Sequence, residues 1–229
     1  MRRASDGARG SGRRCDTSHT SIWGQYGTPG MQVKRAPSLI GDHSFATTPE
    51  AGDAAVPPAT NTALDPTIAT MLDRLAAATA GMIALRADLE AGEPWPLAES
   101  FGPEPEAHWG QREVLAHCAE MLPYWVGEIE RIIDGPEPAR YGRLQTDQIR
   151  IGLIERDRTL PIRELLARIQ DGSARFARRL AELGAADLAR RGLHPVRGEQ
   201  TIEEVLEVVV VGHMEGHLEQ LRETLAERS

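Results

Sequence analysis

Residues 201–221 read Thr201-Ile202-Glu203-Glu204-Val205-Leu206-Glu207-Val208-Val209-Val210-Val211-Gly212-His213-Met214-Glu215-Gly216-His217-Leu218-Glu219-Gln220-Leu221. Strand or helix here decides the fold class. The four consecutive valines, Val208 to Val211, are β-branched and favour a strand. The start of the stretch argues the other way. Thr201 followed by Glu204 is a capping box, in which the hydroxyl accepts from the third helical amide and the carboxylate reaches back to the cap. Leu206, Val209, Val210 and Leu221 then recur at helical spacing. The expectation is one buried helix from the box to about Glu227.

Working outward, three more long helices are expected. Asp65-Pro66 reads as an N-cap with proline at the first helical position. Ile68, Met71, Leu72, Leu75, Met82 and Leu89 follow on one stripe, and Gly92 is the expected stop. The second helix starts near Trp109 and buries Val114, Leu115, Cys118, Leu122, Trp125, Ile129 and Ile132. It should kink at Pro123, which lacks an amide donor, and Asp134-Gly135-Pro136 ends it. Residues 137–160 are ambiguous, with Gln148 to Arg156 either a short helix or an ordered loop. Pro161 opens a third helix carrying Ile162, Leu165, Leu166, Ile169, Phe176, Leu180 and Leu183, with Gly184 as its expected C-terminal cap. No strand is convincing. Four long helices imply an all-α antiparallel bundle spanning residues 66–229.

Residues 1–65 lack this periodicity. They are rich in Gly, Ser, Thr, Pro and Ala, and their seven basic residues nearly balance six acidic ones. Such a segment buries too little apolar surface to offset its ordering entropy, so a disordered N-terminal tail is expected. No apolar core follows Arg2 and Arg3, which argues against a secretory signal. Met31 or Met71 are alternative starts, although Met71 would cut into the first helix.

The full chain of 229 residues carries a net charge of −8. That argues against a general nucleic-acid or anionic-membrane binder. No apolar run reaches the roughly 18 residues of a membrane span. Cys15 and Cys118 lie in unlike contexts and make no disulfide framework, which fits a reducing cytoplasm. Aromatics are only 4% of the chain, so aliphatic side chains must fill the core.

His213 and His217 stand four apart on the last helix. Four residues advance about 400°, so both imidazoles project from nearly one face, and that face is apolar. The spacing suits two nitrogens on one metal ion at about 2.0–2.1 Å. His117, well inside the second helix, is the natural third ligand, because bundle metal sites draw on facing helices. Three histidines and an open position suit Zn²⁺, and imidazole also suits Ni, Cu and Fe. The bland alternative is a set of core histidines satisfied by hydrogen bonds. Glu215 and Glu219 leave the face of the pair and read as solvated, and the His-Glu-x-x-His motif of zincins is absent.

Trp109-x3-Glu113-x3-His117, the entry Gly198-Glu199-Gln200-Thr201-Ile202 and His213-x3-His217-x2-Gln220-Leu221 together resemble the DinB-like superfamily over roughly residues 66–227. The resemblance implies an up-down-down-up four-helix bundle holding a divalent metal through His117, His213 and His217. Some relatives are thiol-dependent and use mycothiol or bacillithiol as a low-molecular-weight cofactor; others have no known reaction. Relatives often pair through helices, which implies a homodimer.

Other residues carry two readings each. Glu113 either orients an imidazole or sits on the surface, and Gln220 either bonds the site or packs near the helix end. Tyr124, Trp125 and Tyr141 line a pocket or pack in the core, and core packing is the better bet. Arg143 and Arg150 are suited to a substrate carboxylate, and His194, before Pro195, flanks a pocket or lies in solvent. His108 reads as solvated, and Cys118 as a buried free thiol rather than a nucleophile. Two functions follow. One is a metal-dependent transferase using a low-molecular-weight thiol on a small-molecule substrate. The other is a non-catalytic metal-binding or stress-related bundle.

Overall fold

The structure is a computed structural model that describes residues 64–97 and 106–227. All of them lie in one compact unit, Val56–Ser229. The expectation of a disordered tail therefore falls, apart from Leu64 and Asp65, outside the described residues.

Helix α1 (Pro66–Ala84) begins as the sequence dictates: Asp65 accepts from the Thr67 amide at 2.8 Å and Pro66 fills the first helical position. It buries Ile68, Met71, Leu75 and Met82. The expected single helix breaks at Leu85 and resumes as α2 (Arg86–Ala91), capped by Gly92. Together Pro66–Ala91 is long and apolar enough to cross a membrane by composition, with mean hydropathy 1.4. Alanines carry much of that hydropathy, and here the helix packs into the bundle.

Helix α3 (Gln111–Asp134) runs as one element through Pro123, and α4 (Gln148–Asp157) settles the ambiguous segment as a helix capped by Asp147. Helix α5 (Ile162–Leu180) starts after Pro161 but ends before Gly184, which instead opens the short α6 (Ala185–Leu188). The last helix is composite: α7 (Ile202–Val205), a π-helical segment Leu206–Val211, and α8 (Gly212–Ala226). The Thr201–Glu204 capping box forms, with bonds of 2.8 and 3.1 Å. The valine run is thus helical but over-wide, because the Gly212 amide reaches back five residues to the Glu207 carbonyl. A side chain at 212 would lie 2.8 Å from that carbonyl oxygen, so glycine is what lets the wide turn close. Arg74 on α1 grips the segment from outside, pairing with Glu207 at 2.6 Å and Glu215 at 2.7 Å. Glu215, expected in solvent, is therefore half of an ion-pair clasp.

Helices α3 and α1 each pack on α5 and on α8, giving the four-helix bundle. The faces meet through aliphatic side chains. Gly172 of α5 lets α3 approach, since a Cβ there would stand 3.2 Å from Leu122. Buried Thr79 and Ser173 satisfy each other across α1 and α5 at 2.9 Å.

Three short strands were not expected: β1 (Ala139–Arg140), β2 (Arg191–His194) and β3 (Gly198–Thr201). β1 pairs parallel with β2, and β2 antiparallel with β3. At two to four residues they are too short to show the alternation that marks a strand. Their role is positional: β3 leads straight into the cap of the last helix and so fixes where the two C-terminal histidines begin.

Candidate metal centre

His117 projects from α3, and His213 and His217 from α8; all three are buried. Their Nε2 atoms converge. The His213 Nε2 lies 3.0 Å from that of His117 and 2.8 Å from that of His217. The structure thus brings together the three histidines that the sequence singled out.

A fourth group joins them that the sequence did not reveal. Glu106, in the 3-10 turn Glu106–His108, turns its carboxylate toward the imidazoles. Its Oε2 is 3.3 Å from His213 Nε2 and 3.8 Å from His217 Nε2, and its Oε1 is 3.7 Å from His117 Nε2. One ligand atom from each of the four residues falls within 4.8 Å of every other. Glu106 stands on a turn after two prolines, with no helical relation to any histidine.

The surroundings fix the chemistry of each group. Gln220 donates its Nε2 to the carbonyls of Glu106 at 2.8 Å and Trp109 at 3.2 Å. That orients the amide, so its Oε1 faces His217 Nδ1 at 2.9 Å. The proton of His217 must then sit on Nδ1, leaving the Nε2 lone pair turned toward the cluster. Burial lowers the pKa of His117 and His213 well below the ordinary histidine value and that of His217 below it, so all three are neutral near pH 7. Burial works against the Glu106 charge, but nearby positive charge outweighs it and holds the carboxyl below its usual range; with the imidazoles neutral, the Arg150 guanidinium is the charge that does this near pH 7. The Arg150 guanidinium binds Oε1 directly, bonds the Gln145 carbonyl at 3.1 Å and lies 5.1 Å over the Trp109 ring. Oε2 is left buried with no hydrogen-bond partner.

The three Nε2 atoms stand at hydrogen-bond distance from one another beside an orphaned carboxylate oxygen; with every imidazole proton on Nδ1, as in His217, their lone pairs would repel one another unless a positive charge lay among them. The separations among these donors run from 2.8 to 3.8 Å. Ligands about 2.0–2.1 Å from a tetrahedral ion stand about 3.3 Å apart. The donor set fits a divalent metal.

Three residues of the sequence pattern take other duties. Glu113 is fully buried but pairs with Arg158 at 2.9 Å rather than with an imidazole. Arg143 is bound to Glu120, both of whose oxygens lie 2.6 Å from its Nη2, and stacks 3.8 Å over Tyr124. Cys118 is buried, and burial pushes its thiol pKa far up, as expected of a packing residue. Glu120 adds a second carboxylate near the cluster, 3.8 Å from His117 Nδ1.

A model of the DinB superfamily matches residues 93–221, more than half of the chain. The chain belongs to the DinB superfamily. The match starts before Glu106 and ends just after Gln220, so it encloses every residue of the cluster. Among solved structures, YfiT from Bacillus subtilis has a similar fold and is described as a probable metal-dependent hydrolase with an unusual four-helix bundle topology. The two chains are 18% identical, with a TM-score of 0.54, over 74% of this chain and 91% of YfiT. No curated protein matches.

Proposed function

We propose that this DinB-superfamily member binds one divalent metal, Zn, Ni or Fe, through His117, His213 and His217. It then uses that site to activate a low-molecular-weight thiol for transfer to a small-molecule substrate. The observation that carries this reading is the convergence of three neutral imidazoles on an ionised carboxylate whose Oε2 has no hydrogen-bond partner. A divalent metal there would supply Lewis acidity, lowering the pKa of a thiol bound beside it.

The chain's own residues supply the rest. Gln220 fixes the His217 tautomer. Arg150 keeps Glu106 ionised and pins Oε1, so Oε2 faces the site as the acceptor for the thiol proton. Trp109, 5.4 Å edge-on from His117, walls the cluster from water.

A second reading has its own observation. Three histidines and Glu106 make four donors, and closed four-donor sites are characteristic of structural metals. Neither of two surface clefts, one beside Trp95 and Arg222 and one beside Tyr141 and His194, is lined by any of the four. On that reading the protein binds metal without turnover.

One experiment separates these. The protein is purified without chelator or affinity-tag metal, its metal is quantified, and it is assayed against electrophiles with and without thiols. About one ion per chain, lost in His117→Ala, together with thiol-dependent turnover, supports the transferase. Turnover with water alone would replace it with a hydrolase. Stoichiometric metal with no turnover would leave the closed structural site.

A further inference from the structure

Away from the metal centre, α3 and the three-stranded sheet enclose a cleft of about 640 Å³. That is within the range of small-molecule sites. Glu128 and Arg131 of α3 line one side, with Arg140 and Tyr141 at β1 and His194 and Val196 at the β2–β3 hairpin lining the other. Glu128 lies eleven residues beyond His117 on the same helix, about 16 Å away along its axis. None of the four residues of the metal cluster lines it.

The polar groups of this cleft are unequally committed. Glu128 is occupied: its Oε2 accepts the Gly142 amide at 2.6 Å and its Oε1 lies 3.4 Å from Arg131. Arg140 makes no ion pair among the described residues. His194 is only 8% exposed, and its Nδ1 accepts two backbone amides, Val196 at 3.1 Å and Arg197 at 3.2 Å. Two donors on Nδ1 require its lone pair, so the proton resides on Nε2. Burial lowers the His194 pKa to about 4, so the ring is neutral and that Nε2–H is its one donor. It has no acceptor among the described residues. That donor is not sealed in the core; it opens onto the cleft, where a ligand oxygen can accept from it.

Gly142 keeps that donor uncovered. Its φ is +77°, and a Cβ there would stand 2.1 Å from the His194 Cδ2 and 2.6 Å from Nε2. Apolar surface flanks the same spot: the Tyr141 ring lies 5.4 Å from the imidazole, and Leu193 and Val196 are 36% and 46% exposed.

We propose that this cleft is a second binding site, separate from the metal centre, for a small organic carboxylate with an apolar body. The Arg140 guanidinium takes the carboxylate, His194 Nε2–H donates to one of its oxygens, and the body lies along Tyr141 and Val196. The single committed carboxylate of Glu128 on the wall disfavours a dianion such as phosphate. A monoanion can pair with Arg140 at about half that repulsion.

The test is a ¹H–¹⁵N NMR titration of the full-length protein as purified, with benzoate, hexanoate and inorganic phosphate as probes. The expected result is saturable shifts of the Tyr141, Gly142, His194 and Val196 amides with the two carboxylates, with a Kd on the order of 1 mM. Arg140 is on the surface, so Arg140→Ala should fold and should weaken binding about tenfold, with Arg140→Lys in between. His217→Ala, which removes a metal ligand, should leave these shifts in place. Three results would overturn the proposal. One is shifts confined to the His117 and His213 region and lost in His217→Ala, which would put the anion at the metal centre. Another is equal response to phosphate with no effect of Arg140→Ala. The last is no saturable shift with either carboxylate.

Discussion

The ion pair between Arg150 and Glu106 is the sharpest test of how the site is built. Their side chains are 5% and 9% exposed. Removing one partner leaves the other charge buried and uncompensated, a loss of about 3–5 kcal/mol. Arg150→Met also forfeits the bond to the Gln145 carbonyl, worth about 1 kcal/mol, and the stacking over Trp109, worth about 1 kcal/mol. Glu106→Gln keeps an acceptor for Arg150 but strands its charge. Against a total stability of about 5–15 kcal/mol, either single change should lower the urea midpoint strongly. The double variant, with neither charge left, should be far less damaged than the two losses added together, by at least about 3 kcal/mol of coupling. The measurement is urea unfolding of all four proteins near neutral pH with chelator present, so that metal does not mask the pair. Additive losses, or single losses below about 1 kcal/mol, would show that the pair does not organise the site.

Acid should destabilise the metal-free protein. His117, His213 and His217 have folded pKa values below that of the unfolded chain, so the unfolded state binds more protons as pH falls. Unfolding free energy should drop below about pH 6.5 by up to about 1.4 kcal/mol per pH unit for each histidine, and a flat profile down to about pH 5.5 would contradict neutral burial. Gln220→Ala removes the acceptor for His217 Nδ1 and should weaken metal binding about 10–100-fold in chelator competition; unchanged affinity would reject its orienting role. Gly142→Ala forces a side chain into the left-handed region and against the His194 ring, and should cost about 1–3 kcal/mol in urea unfolding. A loss of only a few tenths would mean the ring moves aside freely.

The bundle was legible because its signals are local and repeated: caps at Asp65 and Thr201, stops at Gly92 and Gly135, and apolar stripes many turns long. The histidine triad was legible, since four-residue spacing puts His213 and His217 on one face and His117 stood well inside another helix; what the packing of α3 on α8 added was the convergence of its Nε2 on theirs. Glu106 was hidden because a carboxylate on a turn bears no periodic relation to ligands on helices. Glu113 was misjudged for a different reason: from helix phase alone a buried acid looks like a ligand or a surface residue. Its actual partner, Arg158, stands 45 positions away. The sheet escaped notice because strands of two to four residues carry no period.

The π segment at Leu206–Val211 makes the last helix a ruler with one division spliced in. On each side of the splice the graduations are regular, but the two scales are out of phase. Residues up to Val205 must be counted from the Thr201 cap, and those from Gly212 onward from the histidine pair. A wheel drawn through both misplaces one half by about 100° for each extra residue. Losing one valine of the run would leave a continuous, fully bonded α-helix. That straighter helix would nonetheless swing His213, His217 and Gln220 together out of line with His117.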